Sequence, residues 1–202
     1  MGFIASSVSI IRYRVRGEIE GSFWDAVDHG ITDGAFREIE TASDEIGIGW
    51  TSIEDFTDTA FRSSYVLGNY VAVSLRVDSA RIPPRVLEIE LKKEARKILE
   101  QTGAHRLSAA QNRELKDHLK QSLKKQVFPS IQVYDLIWDT AKSIAFFGSH
   151  SPKARERVEQ HFKKCFGLTL VPLIPFIRAE EILEGNPEKQ RLESLRPAIM
   201  TP

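Results

Sequence analysis

Apolar positions alternate with polar ones through residues 3–15, around Val8, Ile10, Ile11, Tyr13 and Val15. That period predicts a first strand with arginines on its other face. Ser22 opens a predicted helix through about residue 32, with Phe23, Trp24, Val27 and Ile31 turned inward. Residues 46–52 read as a short strand whose glycines, Gly47 and Gly49, permit close backbone approach. From Tyr65 to Val77 two apolar runs flank Gly68-Asn69, which predicts two strands and the turn of a hairpin.

Ile82-Pro83-Pro84 marks a boundary, because two prolines suit the opening of a helix. The predicted helix runs from about 84 to 101 and stops at Gly103. Ser108-Ala109-Ala110-Gln111 has the spacing of a capping box, in which Ser108 and Gln111 satisfy each other's backbone N–H groups. A second helix follows to about 126, so the pair forms an αα-hairpin. Residues 131–138 and 142–147 read as strands with Asp139-Thr140 near the turn. Pro152 opens a helix through about Phe166, residues 168–175 form a last apolar strand, and Ala179–Leu183 make one or two helical turns. Beyond Gly185-Asn186-Pro187 the pattern thins, and the tail to Pro202 is expected to be weakly structured or to dock elsewhere.

Charge changes the picture of the hairpin. Residues 1–60 hold four Arg and no Lys against twelve acids, whereas residues 91–126 hold ten cations against four acids, in a chain of formal net charge zero. One strongly basic segment in a neutral protein points to a polyanion partner. In the second helix Leu115, Leu119 and Leu123 share a face, and Arg113, Lys116, Lys120 and Lys124 run beside them. In the first, Lys92 and Arg96 stand at i,i+4, as do Lys93 and Lys97, and such like-charge pairs cost a few tenths of a kcal/mol each. A solvated helix face is one reading. Phosphate contact is the other, since each phosphate neutralised by a side-chain cation releases condensed counterions, which gives affinity without sequence reading. Lys92, Lys93, Arg96, Lys97, Arg106, Arg113, Lys116, Lys120, Lys124 and Lys125 are the candidate contacts. Arg12, Arg14 and Arg16, on one face of the first strand, form a second candidate patch, for which cross-strand pairing with acids is the structural alternative.

The rest of the chemistry is sparse. The N-terminus lacks the basic region and cleavage site of a signal peptide, no apolar stretch reaches the ~20 residues of a membrane span, and a myristoylation reading of Gly2 and Ser6 conflicts with a strand there. Cys165 is the only cysteine, so no internal disulfide forms, which fits a reducing cytoplasm; a buried structural thiol is its expected role. No metal-ligand spacing, Gly-rich phosphate loop or nucleophile elbow is present. Acids cluster at Glu38, Glu40, Asp44 and Glu45, and at Glu54, Asp55 and Asp58, in no ligand pattern, and read as solvated surface. His150 reads as a loop residue or a cap of the following helix.

The order of these elements resembles a known family. An arginine-bearing first strand leads to Gly49-Trp50 and the paired strands of 65–77. Ile82-Pro83-Pro84-Arg85-Val86-Leu87 opens a Lys/Glu-rich helical pair ending in Leu123-Lys124-Lys125-Gln126-Val127-Phe128. A Trp138-Asp139 strand, the helix of Lys153-Ala154-Arg155-Glu156-Arg157 and Leu168-Thr169-Leu170-Val171-Pro172-Leu173 complete it. This resembles the recombination-associated protein RdgC family over about residues 3–178, in order and spacing. The resemblance implies sequence-independent binding of duplex DNA and restraint of RecA-driven recombination. It further implies a ring of two subunits with a basic inner surface, in which the helical pair forms a tip that meets its partner, with Phe128 at that subunit contact. Typical members are longer, and the chain corresponds to a form without their C-terminal third, which puts ring closure in question. An older family name refers to an exonuclease, for which no site is visible.

The expected fold is therefore α+β: an antiparallel or mixed sheet with packed helices and a protruding helical hairpin. Residues 1–81 and 127–183 form the centre or base domain, 82–126 the hairpin tip, and 184–202 a tail. The expected function is DNA binding by a cytoplasmic, nucleoid-associated homodimer that is not an enzyme, needs no cofactor or metal and does not touch a membrane. The alternatives are a protein-docking module that uses the basic hairpin, and a metal-dependent exonuclease.

Overall fold

The computed structural model describes residue 3 and residues 9–39, 46–124 and 128–195, with the backbone alone at Lys124 and Glu193. Val8 of the expected first strand, the acids Glu40, Asp44 and Glu45, the candidate contact Lys125 and residues 196–202 lie outside the described residues. The elements in order are β1 (Ile11–Arg16), α1 (Phe23–Asp33), β2 (Ile46–Ser52), β3 (Val66–Leu67), β4 (Tyr70–Ser79), α2 (Pro84–Thr102), α3 (Ala109–Lys124), β5 (Ser130–Asp139), β6 (Ile144–Phe147), α4 (Pro152–Phe166), β7 (Thr169–Pro172), α5 (Pro175–Ile182) and α6 (Lys189–Ser194). This is an α+β fold. The strands form a seven-stranded sheet in the order β2-β4-β5-β6-β1-β7, with β3 on β4. The chain divides into two compact units: Met1–Ala35, Trp50–Leu75 and Tyr134–Pro202 form the first, Phe36–Gly49 and Arg76–Val133 the second.

In the first unit β1 pairs antiparallel with β6 on one side and β7 on the other, with Tyr13 opposite Ala145 and Pro172. Alternation then sorts the side chains. Tyr13 and Val15 are buried, together with Leu136, Trp138, Ala145 and Phe147 of the neighbouring strands. Helices α1 and α4 cover this face. Ala154, Val158 and Phe162 recur every four residues along α4 and are all buried. Trp138 meets Phe162 at 5.3 Å, Phe166 at 5.6 Å and Phe23 at 5.5 Å between ring centroids. Tyr13 donates its hydroxyl to Glu159 at 3.0 Å, and burial pushes its ionisation upward. Arg12, Arg14 and Arg16 point to the opposite face.

His161 of α4 sits in that aromatic cluster, 4.8 Å from the Trp50 ring, and donates from Nε2 to the Gly34 carbonyl at 3.1 Å. Burial is the largest influence on it and holds its pKa below the ordinary 6.5. The unfolded chain therefore binds the proton more readily than the folded one. Stability contributed by the neutral ring is fully present above 6.5 and is lost as pH falls from there toward the folded pKa. The thermal midpoint is expected to fall between pH 7 and pH 5, and to fall less in His161→Asn; parallel pH profiles of the two proteins would contradict this.

Several local signals in the second unit act as the sequence predicts. Gly103 closes α2 at φ 68°, with its N–H donating to the Leu99 carbonyl at 2.9 Å. The capping box forms in both directions: the Ser108 N–H donates to Gln111 Oε1 at 3.0 Å and the Gln111 N–H to Ser108 Oγ at 3.2 Å. Helices α2 and α3 pack on one another. A Cβ on Gly47 would lie 3.2 Å from both Ile39 and Phe36, which accounts for the glycine in β2. Arg76 lies 4.2 Å over the Phe36 ring while donating to both oxygens of Asp78.

The differences from expectation have local causes. Among the described residues the first strand runs Ile11–Arg16, and Ser9 and Ile10 are not part of it. Ser22 stands at the N-cap of α1 without a side-chain cap bond, and Trp24, expected inside, is 43% exposed at the edge of the helix. The last strand ends at Pro172, because Pro175 starts α5 after the extended residue Ile174. The thin pattern after Pro187 still yields the short helix α6. The β3–β4 turn is as expected, with Leu67 opposite Tyr70 and Gly68 at φ 63°.

Candidate functional site

The hairpin cations divide into two sets. Lys92 bonds Glu88 at 2.7 Å, Lys93 bonds Glu90 at 2.6 Å and Lys97 bonds Glu94 at 2.5 Å, each one helical turn back. The Glu94 carboxylate raises the pKa of Lys97, and Lys92 lowers that of Glu88. The like-charge spacing in α2 is thus offset locally, and these lysines need no external anion to explain them. Lys120 stands 4.0 Å from Asp117, a looser pair. Among the described residues Arg96, Arg106, Arg113 and Lys116 make no salt bridge, and all four are exposed. Arg113 and Lys116 share a face of α3 at i,i+3. Arg106 lies in the connection between the helices, and Arg96 lies two turns before it on α2.

The hairpin is also poorly buried. No residue of α2 is buried, and Leu115, Leu119 and Leu123 of the predicted seam are only half-covered. Val86, Ile89 and Ile131 of the same unit are exposed, and Phe128 is 95% exposed. Two helices alone enclose too little volume to bury a seam, so apolar surface is left for something else to cover.

The sheet arginines are placed differently from one another. Arg12 lies opposite Phe146, is exposed and makes no salt bridge among the described residues. Arg14 is partly covered and held by Glu181 of α5, with Nε and Nη2 each 3.2 Å from a carboxylate oxygen. Arg16 reaches the same carboxylate at 3.9 Å. The structural alternative of pairing with an acid therefore holds for Arg14, although the acid comes from a helix and not from a neighbouring strand. The sequence offered no signal for this, because the partners are 167 positions apart.

The acids near residue 55 have local work. Asp55 accepts from the Thr57 N–H at 2.8 Å and its hydroxyl at 2.6 Å, which lowers the carboxyl's pKa; Asp58 accepts from the Ala60 and Arg62 N–H groups. These are turn-forming bonds of the loop after β2. No group of three or more metal-ligating side chains forms among the described residues. Asp135 was missed by the sequence reading. It is buried, accepts from the Ser74 hydroxyl at 2.7 Å and accepts the Phe3 N–H at 2.7 Å on its other oxygen. His150 points Nε2 at the Ile10 carbonyl, 3.1 Å away, so it fastens a loop. Burial pushes the Cys165 thiol upward, in keeping with a structural role rather than a reactive thiolate. Among the described residues no helix is long and apolar enough to cross a membrane.

Set against known proteins, residues 9–183 match the model of a family described as "Putative exonuclease, RdgC". No curated protein matches the chain.

Proposed function

We propose the following function from one premise: the chain belongs to the RdgC family. The protein binds double-stranded DNA without reading its sequence, acts as a homodimer on the cytoplasmic nucleoid, and restrains RecA-driven recombination by occupying the DNA. The observation that supports this best is the set Arg96, Arg106, Arg113 and Lys116. These are exposed cations with no acid partner among the described residues, in a chain whose net charge is zero. Such groups take phosphates by counterion release. Arg12 and Arg16 are a separate candidate patch, on the sheet of the first unit.

The homodimer rests on the uncovered apolar side chains of the second unit. Phe128, Val86 and Ile89 are exposed, and a second copy presents the same surface in a self-complementary contact. The same exposure favours a second reading, in which the hairpin docks on an acidic protein. One titration separates them. Labelled duplexes of unrelated sequence are expected to bind alike, with affinity falling log-linearly in salt at a slope of about −3 to −4 for four phosphate contacts. Absence of binding at ~50 mM salt would sink the DNA reading in favour of the protein partner. In the same preparations Phe128→Glu is expected to halve the solution mass; an unchanged mass removes Phe128 from the assembly.

A further inference from the structure

Three guanidinium groups converge on one carboxylate in the first unit. Arg14 donates to Glu181 from Nε and Nη2, both at 3.2 Å, in the side-on arrangement by which arginine binds planar or tetrahedral oxyanions. Arg178 donates from Nη1 to Oε2 at 3.1 Å, and Arg16 Nη2 stands 3.9 Å from Oε1. The remaining Nη1 of Arg14 donates to the Lys142 carbonyl at 2.9 Å, which fixes the fork in place. The Arg14 side chain is 24% exposed and that of Glu181 18%. Arg14 first, and then Arg178, hold the Glu181 carboxyl below the ordinary carboxylate range. Three cations around one anion leave an excess of two positive charges. The helix that carries the anion is lightly held: α5 has no buried residue, and Ile182 at its end is 67% exposed.

The geometry points to Arg14, Arg16 and Arg178 as an anion site for a phosphate of the DNA backbone, with the protein's own Glu181 carboxylate seated in it when DNA is absent. This rests on the DNA-binding reading and goes beyond it. Glu181 stands in for the phosphate: two oxygens accept from a fixed fork, and a third cation approaches from the side. A DNA phosphate carries the same charge, and its neighbours along the strand reach the adjacent exposed Arg12. Binding then displaces Glu181, and DNA affinity is set lower than the arginines alone would give. An ion pair that merely fastens α5 makes the opposite prediction, since loosening α5 brings no gain in affinity.

Glu181→Gln decides between them. It is expected to bind duplex DNA about five- to tenfold more tightly than wild type at ~0.1 M salt, with a slope steeper by about 1 to 2. Glu184→Gln is the control. It makes the same change in formal charge three residues further along the chain, at an exposed acid with no salt bridge among the described residues, so it controls for the loss of one nearby negative charge without emptying the fork, and it is expected to stay within about twofold of wild type. Arg14→Gln added to Glu181→Gln should remove most of the gain. A thermal midpoint near that of wild type shows that each variant is folded. If wild type binds DNA and Glu181→Gln gains no more than Glu184→Gln, the phosphate site is overturned while the DNA reading stands. A gain that survives Arg14→Gln also overturns it. If neither wild type nor Glu181→Gln binds DNA, both fall.

Discussion

Replacing Arg96, Arg106, Arg113 and Lys116 together by Gln is expected to weaken duplex DNA binding about a hundredfold at ~0.1 M salt and to flatten the salt slope by about 2 to 4. Each phosphate contact contributes about 0.9 to the slope, which is close to a tenfold gain in affinity for each tenfold drop in salt. Four cations on two helices and their connection cannot all touch one duplex equally, so about half the full effect is the expectation. The comparison that gives this meaning removes the paired lysines together with their acids: Lys92 with Glu88, Lys93 with Glu90, Lys97 with Glu94, all to Gln. That variant deletes three cations without changing net charge. Exposed pairs of this kind contribute little to stability and little field beyond a Debye length, so its affinity is expected within about threefold of wild type. Equal losses in the two variants would mean that the paired lysines leave their glutamates for phosphate, and that the division of the hairpin into two sets is wrong.

That division shows where the sequence was legible. The elements came through wherever the signal is local. Pro84, Gly103 and the Ser108–Gln111 box bound the hairpin by capping chemistry that acts over three or four residues, and Gly68-Asn69 turns the chain by its own backbone preference. The pairing of Lys92, Lys93 and Lys97 was legible too. Glu88, Glu90 and Glu94 stand at the reach of a helical turn, so these acids offset the like-charge spacing of the lysines. What could not be read joins distant parts of the chain. Glu181 finds Arg14 only because α5 folds back over β1, and Asp135 receives Ser74 and the Phe3 N–H only once the strands are aligned. Trp24 failed for a subtler reason: the same helical period fits an inward stripe begun at Phe23 or at Trp24, and only the packed helix shows which one is covered.

Gly30→Ala is expected to destabilise the protein by about 2 kcal/mol or more, although helix propensity alone would favour it by about 1 kcal/mol. Gly30 lies in α1 and is buried. A Cβ there would stand 2.6 Å from Cδ1 of Phe166 and 2.7 Å from the Cys165 carbonyl oxygen. Carbon atoms in good contact sit about 3.5 to 4.0 Å apart, so the neighbour must retreat by most of an ångström. One of those neighbours is backbone, and the other is a ring that cannot swing aside. Phe166 is held 4.7 Å from Phe162, 5.6 Å from Trp138 and 6.2 Å from Trp50 between centroids. Moving it would open the aromatic cluster on which α1, α4 and the sheet of this unit pack. With backbone on one side and a fixed ring on the other, the overpacking cost is expected at the top of the usual range, about 3 kcal/mol or more, and so exceeds the propensity gain of about 1 kcal/mol. For a chain of this size each kcal/mol moves the thermal midpoint by about 2 to 4 °C, so a fall of about 4 to 8 °C is expected. Gly34 beside it is under the same restriction, since its Cβ would meet Cys165 Sγ and approach Cδ1 of Trp50 to 2.9 Å. A midpoint that rises in Gly30→Ala would show that α1 and α4 can separate at little cost. The half-buried His161, whose ring is fixed between Gly34 and Trp50, would then lose its reason to resist protonation, and the acid sensitivity expected of the fold should weaken in the same variant.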